Sequence, residues 1–123
     1  MRSANTPAVS TDGRLFVVGS GREEGVGALY GLDLVPDGER LRIEEVFATG
    51  IGLGSGSSPA VSPSGHQVYV SDEEGWLYGV DARTGEVDWK VQTRAAAGAA
   101  GVDADGTIYA LQANAPAVVA VSP

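Results

Sequence analysis

The sequence contains one histidine, His66, and no cysteine, which narrows the chemistry that its side chains can supply. A Ser-His-Asp triad requires a serine held on a strained turn, but the Gly-x-Ser-x-Gly signature of such a turn is absent. His66 directly follows the turn residue Gly65, so we expect an exposed turn histidine. The lack of cysteine excludes disulfides, thiolate nucleophiles and zinc–thiolate sites.

Three pairs of adjacent glutamates are candidates for acid–base chemistry: Glu23-Glu24, Glu44-Glu45 and Glu73-Glu74. Glycoside hydrolysis requires two carboxylates that face each other across a substrate. Adjacent residues on a strand point to opposite faces, and adjacent loop residues are usually solvated. The pairs are therefore interpreted as surface charges, and no catalytic residue is predicted.

Two further motifs suggest ligand binding. The segment Asp103-Ala104-Asp105-Gly106 begins like a calcium loop, but it lacks the distant glutamate and the other oxygen ligands that calcium takes. The glycine-rich segment Gly50–Gly56 has neither the dinucleotide nor the Walker signature, and no helix is predicted to follow it. The first is predicted to be a turn and the second a flexible connection, so we expect no metal and no cofactor in this segment.

Composition indicates a single globular domain spanning residues 1–123. The chain is 43% hydrophobic and 20% charged, and its 16 acidic and 8 basic residues give a formal charge of −8. This negative balance disfavours nucleic acid and anionic membranes as partners. No apolar run approaches the roughly 20 residues of a membrane span, and residues 1–5 lack the apolar core of a signal peptide.

A repeated β pattern organises the sequence. The middle unit, 58–94, holds four short β patterns separated by three turns, and it is flanked by degraded copies at 5–50 and 98–123, with a linker at 51–57. The distance along the sequence from one unit to the next approaches the roughly 40-residue period of propeller blades. We therefore predict an all-β propeller fragment of about three four-stranded antiparallel blades. The last blade is predicted to be incomplete, because the third copy stops before its fourth strand.

In the middle unit, Asp81, Gly85 and Trp89 follow the pattern Ala-x-Asp-x-x-x-Gly-x-x-x-Trp, with Gly79 in place of the alanine. This pattern resembles the PQQ-like β-propeller repeat family. The resemblance implies that Trp89 docks on the next blade, held by the turn that carries the aspartate and glycine.

The other two units keep only part of this pattern. In the first unit the aspartate is Asp33, and Phe47 or Val46 replaces the tryptophan; in the third, Ser122 stands at the aspartate position. No Gly-His…Trp-Asp signature of the WD-repeat class is present. The aromatic residues of the strands are expected to pack between blades rather than to form a ligand platform. They are Tyr69, Trp76, Tyr78 and Tyr109.

Since a propeller closes with about 4–8 blades, we expect a part of a longer protein or a ring completed by association. The resemblance implies an exported, cell-surface or periplasmic binding and scaffolding module that carries no catalytic centre. Two alternatives remain: a fragment of a PQQ-dependent quinoprotein dehydrogenase, and an extracytoplasmic sensor domain of a kinase. The expected partners are a protein or further blades, including self-association.

Recognition is expected on the loops that break the repeat, because the regular turns are needed to close the blades. The first candidate is the insertion Ser20 to Gly27, with Arg22, Glu23 and Glu24 as its charged residues. The second is the loop Pro36 to Arg40.

Overall fold

The computed structural model describes residues 5–54, 57–94, 100–112 and 117–123. Within these ranges the chain forms eleven β-strands and no helix. The strands make three antiparallel sheets of four, four and three strands. The protein is therefore all-β with a propeller-like stack of sheets, as the repeat predicted. None of the described segments is a helix that could cross a membrane.

The first sheet, blade one, is a meander of four consecutive strands. They are β1 (Ala8–Val9), β2 (Leu15–Ser20), β3 (Val26–Asp37) and β4 (Arg40–Leu53). The first strand, β1, is short, whereas β3 and β4 are long enough to project beyond the rest of the sheet. The β2–β3 pairing ends at Leu32, opposite Leu15, so the remainder of β3 is paired only with β4.

The second sheet, blade two, repeats the meander with shorter strands. They are β5 (Ala60–Val61), β6 (Gln67–Ser71), β7 (Trp76–Asp81) and β8 (Val87–Gln92). Both faces of β6 are buried after its first residue, as its β-branched and aromatic composition predicted. The outer strand β8 is largely exposed.

The third sheet consists of β9 (Gly101–Val102), β10 (Ile108–Leu111) and β11 (Val118–Val121), with β10 in the centre. A fourth strand is absent from the described part of the chain, as expected for this unit. Residues 98 and 99, where the unit was predicted to begin, lie outside the described residues.

Most of the hydrophobic core lies between the sheets, because alternate residues of each strand point to opposite faces and these faces pack on a neighbouring sheet. A smaller cluster of Ala28, Tyr30 and Leu32 lies on the other face of blade one. The main cluster joins one face of blade one to one face of blade two; its largest members are Phe16, Val18, Leu29, Ile51, Val68, Val70, Tyr78 and Val80. A second cluster joins the other face of blade two to the third sheet, through Tyr69, Leu77 and Ile108. The blades therefore form a stack in which blade two is covered on both sides.

Each of the first two blades places an aromatic ring over a glycine of the neighbouring strand. In blade one Phe47 pairs with Gly31, and in blade two Trp89 pairs with Gly79. A Cβ on either glycine would collide with the ring opposite. A β-bulge follows both glycines, so the rings are aimed in the same way in the two blades.

Two boundaries differ from the sequence prediction. The segment Pro36–Arg40 is not a loop: β3 runs to Asp37, β4 starts at Arg40, and only a two-residue turn separates them. Gly38 has φ +65° at the first position of this turn, which is the conformation that continues a hairpin without splaying its strands. The resulting hairpin carries three exposed apolar residues, Leu34, Leu41 and Ile43.

The predicted linker 51–57 is also partly a strand. Residues 51–53 belong to β4, the side chain of Ile51 is fully buried, and the Glu73 amide donates a hydrogen bond of 2.8 Å to the Leu53 carbonyl. This segment therefore fastens blade one to blade two instead of connecting them loosely. Residues 55 and 56 of the predicted linker lie outside the described part of the chain.

Candidate functional site

The insertion between β2 and β3 is a compact loop with a charged tip. The Gly21 amide donates to the Val26 carbonyl at 2.7 Å, and the Gly54 amide donates to the Gly25 carbonyl at 2.9 Å. Gly25 has φ +77°, a conformation that favours glycine. These bonds close the loop against the end of β4, while residues 22–24, the predicted recognition residues, are exposed.

A cleft of about 370 Å³ lies beside this loop. Its strand-borne walls are apolar and aromatic, formed by Val26, Ala28, Tyr30 and Ala48. The Tyr30 hydroxyl donates a hydrogen bond of 2.6 Å to the Ser20 carbonyl, which orients the ring. The structure therefore places the predicted loop at the entrance of a concave, partly apolar surface.

The rim of this cleft is charged and mostly acidic. Arg22 and Glu23 of the loop line it together with Glu45 of β4, whereas Glu24 is not among the lining residues. The Arg22 guanidinium lies 4.0 Å from the Glu45 carboxylate, and the two side chains are 89% and 48% exposed. An ion pair this exposed adds little stability, so both groups remain available to a ligand.

The two predicted recognition segments do not form one site. The insertion precedes β3 and the Gly38 turn follows it, so they lie at opposite ends of a 12-residue strand. At about 3.3 Å per residue, this separates them by roughly 35–40 Å. The cleft beside the insertion is therefore a candidate binding site separate from the hairpin tip.

The turn after β7 carries two of the three residues of the repeat motif, Asp81 and Gly85. The Asp81 carboxylate accepts hydrogen bonds from the amides of Arg83 at 2.8 Å and Thr84 at 2.9 Å. These bonds to backbone amides lower the pKa of Asp81. They shape a turn that ends at Gly85, with φ +79°.

The aromatic ring that docks on this turn is Phe47 of blade one. A Cβ on Gly85 would lie 2.5 Å from Cγ and Cδ2 of that ring. Beside it, the Thr49 hydroxyl donates a hydrogen bond of 2.5 Å to the Gly85 carbonyl. Of the two residues proposed to replace the tryptophan in the first unit, Phe47 is therefore the one that docks on the next blade.

Trp89 occupies the same position in blade two but is only half-buried. Its ring lies 5.8 Å from the Tyr69 ring, and its Nε1 donates to the Gln67 side-chain oxygen at 3.4 Å. It packs against the cluster that includes Ile108 of the third sheet. Trp89 thus contributes to the contact between blade two and the third sheet while remaining partly exposed.

Arg14 fastens the first two blades together, a role that the sequence pattern did not predict. Its guanidinium forms a bidentate ion pair with Asp33, with contacts of 2.8 and 2.9 Å. Its third nitrogen donates to the carbonyls of Arg83 at 3.0 Å and Ala82 at 3.3 Å. The pair lowers the pKa of Asp33, mainly through the hydrogen bond from Arg14. The available signal in the sequence was a basic residue, Arg14, one position before the second strand of the first unit, whose motif aspartate is Asp33.

Two turns share the sequence Asp-x-x-Gly-x-x-Tyr and the same internal geometry. In blade two, Asp72 accepts two backbone amides on Oδ1 and the Tyr78 hydroxyl on Oδ2, the latter at 2.7 Å. Burial, and then the hydrogen bond to Asp72, raise the pKa of Tyr78 above its ordinary value.

Asp103 makes the same set of bonds in the third unit, to the amides of Asp105 and Thr107 and to the Tyr109 hydroxyl. The segment with the calcium-like sequence is thus a turn whose aspartate binds its own backbone. Within the described ranges, no three acidic or histidine side chains are grouped to hold a metal ion.

The remaining titratable candidates are separated from one another. His66 is exposed, at the edge of a cleft of about 520 Å³ between blades one and two. Glu44 forms a 3.4 Å ion pair with Arg42, whereas the adjacent Glu45 lines the cleft beside the insertion. Glu73 and Glu74 are exposed beside the turn of Asp72.

The strand aromatics follow the predicted packing with one exception. Tyr69 and Tyr78 are buried between blades, and Trp76 packs against the main cluster. Tyr109 is 42% exposed, because nothing in the described residues covers its face of the third sheet.

No protein-family model matches this sequence. A comparison with curated proteins likewise finds no match.

Proposed function

We propose that this chain is a non-catalytic β-propeller repeat module that binds a protein partner, of the kind its PQQ-like repeat pattern resembles. The observation that carries the proposal is the cleft of about 370 Å³ beside the insertion of residues 20–27. Ligand sites are typically concave and apolar with a few convergent polar groups. An apolar wall under a charged rim has this composition.

The rest of the chain supports a scaffolding role. The carboxylates of Asp72, Asp81 and Asp103 accept hydrogen bonds from backbone amides and so hold turns in shape. The insertion is supported by β3 and β4, the longest strands of the protein as described. A loop held on such a platform loses little conformational entropy when it binds, which favours affinity.

The proposal is tested by selecting peptides from a displayed random library against the purified chain. Selected peptides should bind the wild type saturably and lose at least about tenfold in affinity for the double variant Arg22→Ala/Glu23→Ala. The matched control is Glu39→Ala/Arg40→Ala, which removes one acidic and one basic side chain at the opposite end of β3 and should leave binding unchanged.

Two results contradict the proposal. If no selected peptide depends on the Arg22 loop, the cleft is not a recognition site. Calorimetry with PQQ and calcium is the opposing test, because saturable micromolar binding to this chain would favour a quinoprotein fragment instead.

A further inference from the structure

Blade two carries a paired aromatic and cationic side chain on the face that packs against blade one. Trp76 and Tyr78 lie on the same face of β7, since they are two residues apart. Lys90 of β8 pairs with Tyr78, and its ammonium lies 4.7 Å from the centroid of the Trp76 ring. This distance is within the range of a cation–π contact.

Blade one has two alanines at the equivalent positions. Tyr30 pairs with Ala48 as Tyr78 pairs with its lysine, and Ala28 lies two residues before Tyr30 on the same face. All three residues line the cleft of about 370 Å³. The cleft therefore lies where blade two holds a tryptophan and a lysine of its own.

The charges around the cleft favour a cationic occupant. Glu23 and Glu45 contribute two carboxylates to the rim against the single guanidinium of Arg22. The protein as a whole has a formal charge of −8, so a basic segment is attracted over a longer range as well.

We infer that the cleft receives an aromatic side chain and a neighbouring lysine or arginine from an extended segment of the partner protein. The inference rests on the proposed function and names the chemistry of its partner. The ring packs over Ala28 beside Tyr30, and the cation lies over the ring, toward Glu45. In an extended segment the two side chains share a face when they are two residues apart.

The first test uses a dye-labelled, end-blocked Gly-Trp-Gly-Lys-Gly peptide and fluorescence anisotropy. We expect saturable binding, about tenfold weaker when the peptide tryptophan is replaced by alanine. Replacing Glu45 with glutamine should weaken binding several-fold, since it removes a rim carboxylate. Glu86→Gln is the matched control, because it removes the same charge from an exposed turn of blade two and should have no effect.

The second test fills the cleft from within. The double variant Ala28→Trp/Ala48→Lys gives blade one the pair that blade two already has, and it should abolish peptide binding while the circular dichroism spectrum stays that of the wild type. If this variant does not fold, the effect of Glu45→Gln against Glu86→Gln decides.

Several outcomes overturn the inference. Equal binding of the peptide without tryptophan would show charge attraction alone, and binding retained by the filled variant would place the peptide elsewhere. If the wild type self-associates and only the filled variant is monomeric, the occupant is a second copy of the chain. If library peptides lose affinity for Arg22→Ala/Glu23→Ala but lack the aromatic–basic pair, this partner chemistry fails while the proposed function stands; if none loses affinity for that variant, both fail.

Discussion

Replacing Gly85 with alanine tests the docking of blade one on blade two with a single added atom. Gly85 has φ +79°, and its added Cβ would lie 2.5 Å from the Phe47 ring. Gly65 has φ +76°, but nothing lies within 4 Å of its added Cβ. Both substitutions impose a similar backbone strain of about 1–2 kcal/mol. Only the substitution at Gly85 also forces the aromatic ring to move.

The size of the additional effect follows from overpacking. Inserting a methyl group into a close-packed contact costs about 1–3 kcal/mol. Gly85→Ala should therefore lower the free energy of unfolding by about 2–5 kcal/mol, against about 1–2 kcal/mol for Gly65→Ala. Urea unfolding followed by circular dichroism measures both, provided that the m-value of the transition does not change.

A double-mutant cycle identifies the ring as the cause. In a Phe47→Ala background the ring is absent, so the cost of Gly85→Ala should fall to that of Gly65→Ala, with a coupling energy of about 1–3 kcal/mol. Equal costs at the two glycines, or a coupling energy below about 0.5 kcal/mol, would refute the docking geometry.

Three other substitutions have expected outcomes. Trp89→Ala should cost about 2 kcal/mol in urea unfolding, less than the 3–5 kcal/mol of a fully buried tryptophan, and a cost near zero would show that the ring is not part of the contact. Tyr78→Phe leaves the buried Asp72 without its hydroxyl donor and should cost about 1–3 kcal/mol. Because the folded-state pKa of Tyr78 is raised, the contribution of this residue to the free energy of unfolding is present below about pH 10 and is lost as the pH rises through the folded pKa. Tyr78→Phe has no hydroxyl to ionise, so above pH 10 its free energy of unfolding should fall less than that of the wild type. Arg14 lowers the pKa of Asp33, so the contribution of Asp33 to the free energy of unfolding is present above about pH 4 and is lost as the pH falls through the folded pKa. Asp33→Asn should therefore reduce the dependence of the free energy of unfolding on pH below 4. If that dependence is the same in the variant and the wild type, the ion pair is contradicted.

The repeat was the strongest signal in the sequence because turn chemistry is local. Gly13, Gly65 and Gly106 mark the first turn of each unit, and all three have positive φ. The extended hairpin could not be predicted in the same way. Pro36 and its charged neighbours are typical of a loop, but Pro36 belongs to β3, in the part of that strand that pairs only with β4. A proline is tolerated at such an edge, since no second strand requires its missing amide.

The candidate site was predicted only in part. An insertion relative to the repeat is visible in the sequence, so Arg22 and Glu23 were identified. The cleft, however, depends on the small side chains of Ala28 and Ala48, which are informative only after the register of the strands is known. Arg14 was missed for a related reason, because its last two hydrogen bonds reach a turn almost seventy residues along the chain.

The position of Phe47 has a consequence for dividing this protein into interchangeable units. Its ring is held between Gly31 of its own blade and Gly85 of the next, so one complete interlock begins in β3 and ends in the turn after β7. A duplication or transplant cut between sheets would separate the ring from one of its two glycines. A cut just before β3 keeps the ring with both glycines only if the piece continues past Gly85, whereas the equivalent cut one unit later, just before β7, falls before that turn. The contact that joins the blades is therefore longer than one blade, and the smallest piece that carries it whole runs from β3 through the turn after β7.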